Sequence, residues 1–288
     1  MTHFTIQRLG IVGAGRVARA LAIGFAAHGV APPLLCARSP EKAGEAAQAV
    51  GGDAVSIERL VRDCDVIAIA VSDDAVESVA VELAAASTMG GDRFVFHVSG
   101  RSGAAILEPL RAAGALTAAI HPAMTFTGHP ASEVARMAQA RFAITGSSDR
   151  ASETARAIVA LLGGTPVEVP EAKRALYHAA LCHASNHLVT LMAGASGALA
   201  QAVVDDPALL LAPLVRAALE NSLDRGFAAL SGPLLRGDER TIEGHLRALG
   251  SDCPELLPAY RAMALATVDA IERGGAAVNS GALRDRLN

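Results

Sequence analysis

Leu9-Gly10-Ile11-Val12-Gly13-Ala14-Gly15-Arg16-Val17-Ala18 decides the fold of this chain. Residues 9–13 are short, apolar and closed by glycine, as a strand buried on both faces of a parallel sheet requires. Residues 17–28 follow with helical periodicity and stop at Gly29. The Gly-x-Gly-x-x-Ala run therefore falls between the first predicted strand and the first predicted helix. Gly13 permits a tight turn, Gly15 lets a ligand approach the backbone, and Ala18 lets helix and strand pack closely. A helix that opens this way presents free N–H groups and a positive dipole end to an anion such as a pyrophosphate. Residues Gly13 to Val17 are thus the expected core of a dinucleotide site.

The same alternation continues outward. Strands are expected at 33–37, 65–71, 93–98, 115–120, 141–145 and 166–169, and helices at 40–50, 75–86 and 151–162. Strands alternating with helices imply a doubly wound parallel sheet, a Rossmann-type α/β fold. The pattern changes near Pro170: residues 172–204, 209–230, 239–249 and 255–273 read as helices, with no convincing strand. The expected organisation is a dinucleotide-binding domain over residues 1–169 and an all-helical substrate and dimerisation domain over 170–288. The first two of these helices are apolar on most sides and so must be covered on most sides. A homodimer through the helical domain would cover them.

Composition narrows the function. Hydrophobic residues make up 51% of the 288 and charged residues 19%, enough apolar material for a large core and too much for disorder. A net charge of −4 with no basic block argues against nucleic-acid or anionic-membrane partners. Cys36, Cys64, Cys182 and Cys253 are widely spaced and form no CxxC pair, which fits buried thiols in a reducing compartment. No stretch has signal-peptide or membrane-spanning character, so a cytoplasmic protein is expected.

The end of the second strand bears on the choice between NAD and NADP. An acidic residue there would bond a ribose 2′-hydroxyl; Ala37-Arg38-Ser39-Pro40 stands there instead. Arg38 supplies charge, and Ser39 a hydroxyl and an amide, for a 2′-phosphate. The expected cofactor is NADP(H). Val71, Ser72 and Asp73 close the next strand beside it, and Asp73 or Asp74 is also a candidate helix N-cap.

Two polar clusters, His97-Val98-Ser99-Gly100 and His121-Pro122-Ala123-Met124-Thr125-Phe126, fall at strand ends, where ligands bind in open α/β sheets. Ser99 and His121 are candidates for the active site. On the long helix, His178, Cys182 and Asn186 share one face at i, i+4 and i+8. A reduction needs a proton donor, and histidine suits that role near neutral pH. His178 is assigned as general acid and Asn186 as the substrate-orienting group; a hydrogen-bonded structural stripe is the competing explanation. His183 and His187 have metal-ligand spacing but no third ligand, so no metal is expected. Arg236, in the glycine-flanked loop Ser231 to Asp238, could bind a substrate carboxylate or simply pair with a neighbouring acid. Asp238 is the expected N-cap of the helix that follows.

Taken together, the motifs GAGRVA (13–18), AVSDD (70–74), HVSG (97–100), HPAMTF (121–126), YHAALCHASNHL (177–188) and SGPLLRGD (231–238) resemble a family of two-domain Rossmann-like oxidoreductases. Its C-terminal half is a helical domain of unknown function, similar to the C-terminal domain of 6-phosphogluconate dehydrogenase. The family is related to ketopantoate reductase, pyrroline-5-carboxylate reductase and the 6-phosphogluconate dehydrogenase group. The resemblance implies NADPH-dependent reduction of a 2-keto acid, with ketopantoate first among the substrates. Ordinary ketopantoate reductase carries a lysine and two asparagines at four-residue steps on its long helix. With the second asparagine set on Asn186, His178 stands in the lysine's place and Cys182 in that of the first asparagine. Reduction of an imine or another carbonyl, and non-catalytic sensing of NADP(H), remain the alternatives.

Overall fold

The computed structural model describes residues 5–86, 90, 93–275 and 279–288. They form two compact units, Met1–His183 and Ala184–Asn288.

The first unit is built on eight strands. In chain order they and their helices are β1 (Leu9–Val12), α1 (Arg16–Ala27), β2 (Leu34–Cys36), α2 (Pro40–Val50), β3 (Asp53–Ala54), α3 (Ile57–Asp63), β4 (Val66–Ile69), α4 (Val76–Ala86), β5 (Phe94–His97), α5 (Glu108–Ala112), β6 (Leu116–Pro122), α6 (Pro130–Met137), β7 (Arg141–Gly146), α7 (Asp149–Leu161) and β8 (Thr165–Glu168). The sheet order is β3-β2-β1-β4-β5-β6-β7-β8. The order reverses at β1, with β2 on one side and β4 on the other, so a crevice opens at the carboxyl end of β1. β1, β4 and β5 are buried at every position, which is why they read as continuous apolar runs. Leu21 and Phe25 of α1, Met137 of α6 and Ile158 of α7 cover one face. Leu60 of α3, Leu83 of α4 and Leu110 of α5 cover the other. Serines at the helix starts cap α2 (Ser39), α3 (Ser56) and α7 (Ser148), each accepting a backbone N–H three residues on.

The expectation of a parallel sheet holds with one correction. β7 runs antiparallel to β6, with Ala118 opposite Gly146 and Pro122 opposite Phe142. The connection that carries α6 begins and ends at the same edge of the sheet, where the Ala123 N–H donates to the Arg141 carbonyl. It never crosses back, so the next strand must reverse.

One further helix, α8 (Arg174–Gln201), carries the chain from the first unit into the second. The units therefore divide inside this helix, at 183/184, and not at 169/170. The second unit continues with α9 (Pro207–Arg225), α10 (Pro233–Arg236), α11 (Glu239–Asp252), α12 (Leu257–Arg273) and α13 (Ser280–Leu287). Its small core joins Ile242 of α11, Ala264 and Val268 of α12, and Leu283 and Leu287 of α13. The Asp238 carboxylate caps α11, accepting from the Thr241 N–H at 3.1 Å and the Thr241 hydroxyl at 2.6 Å. α9 has no buried residue, and only Arg174 is buried in α8. Among the described residues, no helix is long and apolar enough to cross a membrane.

Candidate functional site

The turn between β1 and α1 is set by glycine. Gly13 has φ +132°, and a Cβ there would stand 2.2 Å from the Ala70 carbonyl oxygen. Its N–H donates to the Cys36 carbonyl at 2.8 Å, which ties the turn to β2. A Cβ on Gly15 would meet nothing within 4 Å, so the backbone there faces open space. Unlike α2, α3 and α7, α1 has no side-chain cap. Its orphan N–H groups are left for an anion. An uncapped helix start beside an open glycine fits the pyrophosphate of a dinucleotide.

A cleft of about 970 Å³ runs from this turn. Gly13, Ala14, Gly15, Arg16 and Val17 line it, together with Arg38, Ser39, Val71 and Ser72. Asp73 does not line it. Asp73 and Asp74 lie in the first turn after β4 and pair with Arg101, at 3.9 and 2.7 Å. Neither caps a helix: the position before that turn is Ser72, which makes no side-chain cap bond.

Lys42 and Phe126 also line the cleft. Sequence reasoning passed over Lys42, and named Phe126 only as the end of the cluster that begins at His121. Lys42 lies one turn into α2, and its N–H donates to Ser39 Oγ at 3.3 Å, so Arg38 and Lys42 bracket the start of α2 with two cations. The spacing Arg-Ser-x-x-Lys was the available signal. Phe126 arrives on the loop after β6, where its carbonyl accepts from an Arg16 guanidinium nitrogen at 3.3 Å. The buried Glu133 carboxylate fixes that loop by accepting the N–H groups of Thr127 and Gly128 at 2.5 and 2.7 Å.

The two strand-end histidines differ in kind. His97, fully buried, donates through Nε2 to the Gly103 carbonyl at 2.8 Å and accepts the Ser99 N–H on Nδ1 at 3.1 Å. Burial pushes its pKa down to about 4, so the ring is neutral and fastens the loop from Val98 to Gly103. That loop presents Ser99, whose buried hydroxyl has no hydrogen-bond partner among the described residues. His121 is part-buried, and its Nδ1 lies 2.9 Å from the Tyr177 hydroxyl. Its pKa is also pushed down to about 4, first by burial and then by Arg174 and His178.

The start of α8 closes this corner. The His178 ring stands edge-on to His121, centroids 6.2 Å apart. His178 Nε2 lies 3.7 Å from Cys182 Sγ. The loop runs against both imidazoles at Gly100, where a Cβ would come within 2.7 Å of His178 Cδ2 and 2.9 Å of His121 Nε2. Ser99, His121 and His178 are thus brought together in the first unit. Asn186 and Arg236 belong to the second. Asn186 is exposed, its side-chain oxygen accepting from Ser185 Oγ at 3.1 Å. Arg236, also exposed, ends α10 between Gly232 and Gly237, both with positive φ. Among the described residues, no group of three or more His, Cys, Asp or Glu side chains is placed to hold a metal.

Residues 3–122 match a Rossmann-like domain, and residues 140–267 match a domain of unknown function, DUF2520. No protein with a curated description matches the sequence significantly. Several solved structures share the fold across nearly the whole chain. A Bacteroides fragilis protein, described as a candidate NADP oxidoreductase, is 21% identical with a TM-score of 0.74, over 90% of this chain and 97% of its own. An imine reductase from Myxococcus stipitatus, in complex with NADP+, is 18% identical with a TM-score of 0.68, over 96% and 99%. A reductive aminase from Aspergillus terreus, in complex with NADPH and ethyl levulinate, is 18% identical with a TM-score of 0.68, over 99% and 100%. At such identities the likeness is one of fold.

Proposed function

We propose that this chain, which joins a Rossmann-like domain to a DUF2520 domain, is an NADPH-dependent reductase of a small 2-keto acid, ketopantoate first among the candidates. One observation carries the reading: the uncapped start of α1 opens on a cleft whose wall bears Arg38, Ser39 and Lys42 and no acid at the end of β2. Bound there, NADPH would supply the hydride. The α1 amides hold its pyrophosphate, and Arg38 and Lys42 hold a 2′-phosphate through charge-assisted bonds. Ser99, His121 and His178 offer hydrogen-bonding groups to the reacting oxygen or nitrogen and hold the proton it needs. On their chemistry, Asn186 is assigned to substrate orientation and Arg236 to a substrate carboxylate.

A second reading, reduction of an imine, is favoured by the shared fold with the imine reductase and the reductive aminase. The discriminating experiment follows NADPH oxidation by absorbance against 2-keto acids, including ketopantoate, and against cyclic imines. Turnover of a keto acid supports the first reading; turnover of imines alone replaces it with the second. Tight NADPH binding with no turnover on either class overturns both and leaves a sensing role, and a preference for NADH overturns the choice of NADP(H).

We assign α8 and α9 to a homodimer interface. Val189, Leu209 and Leu223 are 70%, 74% and 76% exposed in the single chain, and an apolar surface of that kind is covered in a stable assembly. Leu209→Glu with Leu223→Glu should convert a dimer to a monomer in sedimentation; a wild-type monomer at micromolar concentration refutes the assignment.

A further inference from the structure

Behind His121 lies a second polar layer that the proposed reaction leaves unused. Arg174 is 1% exposed and makes no ion pair among the described residues; the carboxylate that acts on its charge is Glu171. Its Nε donates to Thr145 Oγ1 at 2.7 Å, and one terminal nitrogen donates to the carbonyls of Ala119 and Ala143 at 3.2 and 3.1 Å. The other terminal nitrogen is buried and has no hydrogen-bond partner among the described residues. A buried guanidinium hydrogen-bonded only to neutral acceptors is costly, and Glu171 offsets its charge only from beyond ion-pair distance, so a negative charge formed directly beside it would be stabilised. The group beside it is Tyr177, whose ring centroid lies 5.9 Å from the guanidinium carbon.

Tyr177 in turn reaches His121. With His121 neutral, the phenol O–H donates to Nδ1, and the ring hydrogen sits on Nε2. Among the described residues Nε2 has no hydrogen-bond partner, and the His121 side chain is part-buried. Gly100 passes in front of it, and any side chain at that position would block it.

We propose that Tyr177 is the proton reservoir of His121, and that Arg174 holds the phenolate left when that proton is used. Both are positioning residues, and the inference rests on the reductase reading. When the substrate's carbonyl or imine carbon is reduced, its electron pair moves to oxygen or nitrogen, which takes the Nε2 proton of His121. The Nδ1 atom then takes the phenol proton, so His121 is neutral before and after. The negative charge ends on the Tyr177 oxygen beside Arg174, and solvent restores the phenol after product leaves. The charged and titratable groups acting on His121 are Arg174, His178, Asp73 and His97.

The test has two arms. Tyr177→Phe removes one oxygen and keeps the packing. It should lower kcat by about 10- to 100-fold, leave KM and the NADPH Kd within about two-fold, and abolish the basic limb of the kcat–pH profile. The second arm reads the phenol without cofactor or substrate. The chain has two tyrosines and no tryptophan, so Tyr260→Phe leaves Tyr177 alone to ultraviolet titration. In that background Arg174→Met should raise the Tyr177 midpoint by roughly 1–3 units, and Arg174→Lys should restore most of the shift. Unchanged kcat and basic limb in Tyr177→Phe overturn the proposal, whatever Arg174→Met does to folding. A phenol midpoint that ignores the charge at 174 removes the role of Arg174. A wild type inactive on every substrate overturns the reductase reading, while the titration arm still decides the Tyr177–Arg174 coupling.

Discussion

Lowering the pH from about 7 to about 5 should destabilise the first unit by about 2 kcal/mol through His97 alone. Its ring is fully buried, and both nitrogens are engaged as a neutral imidazole engages them: Nε2 donates to the Gly103 carbonyl, and Nδ1 accepts from the Ser99 N–H. Protonation would put a hydrogen on Nδ1 facing that N–H, and burial holds the folded pKa down at about 4. The unfolded chain titrates near the ordinary value of about 6.5. The folded value is the lower, so the unfolded state binds more protons as the pH falls. Stability is therefore present above about 6.5 and is lost on the way down to about 4. The gap of about 2.5 units corresponds to about 3 kcal/mol in full, of which about 2 kcal/mol is gone by pH 5. Urea unfolding of wild type and His97→Gln, both in the Tyr260→Phe background, reads this through Tyr177 fluorescence. Glutamine can still donate toward Gly103 but does not titrate. At neutral pH the variant should be the less stable protein, and the difference should shrink by about 2 kcal/mol at pH 5. Parallel decline of the two proteins with pH, or an NMR midpoint for His97 near 6.5, would refute the reasoning.

Gly13→Ala forces a Cβ to 2.2 Å from the Ala70 carbonyl oxygen at φ +132°, and should cost at least about 2 kcal/mol in thermal unfolding along with NADPH binding. Arg38→Ala and Lys42→Ala should each weaken NADPH binding by about 10- to 100-fold in titration calorimetry and leave NADH binding unchanged; equal losses for both cofactors would remove the 2′-phosphate assignment. Val203 follows α8 with φ +60°, a conformation that a β-branched residue adopts under strain. Val203→Gly should stabilise the second unit by about 1 kcal/mol, seen as a raised Tm; a lowered Tm would show that the side chain's contacts outweigh the strain.

Much of this architecture was legible because parallel strands buried on both faces have nowhere to place a polar residue. β4 and β5 could be read from composition alone. β3 could not: it is two residues long, both exposed, and is a strand only because β2 lies beside it. α6 was hidden by Gly128-His129-Pro130, which has the chemistry of a turn although Pro130 opens a helix. The reversal of β7 was equally out of reach, since direction depends on which edge the connection keeps to, and that is a tertiary fact.

The candidate site divides along the same line. The glycine turn, Arg38 and Ser39 sit within one local motif, and local spacing found them. Tyr177 was passed over because sorting α8 by helix face follows His178 to Cys182 and Asn186, and an adjacent residue points about 100° away. Its partner His121 is 56 residues distant in the chain, and Arg174 bonds across 29 to 55 residues to β6 and β7. Those long-range bonds also explain why the compact units part at His183 and not at Pro170. At Pro170 the strands end and the pattern of hydrophobicity changes. The packing does not change there, because the first turns of α8 set a cation, a phenol and an imidazole against the sheet. A boundary drawn where secondary structure changes therefore separates His178 from Ser99 and His121, whereas one drawn where packing changes keeps all three in a single unit.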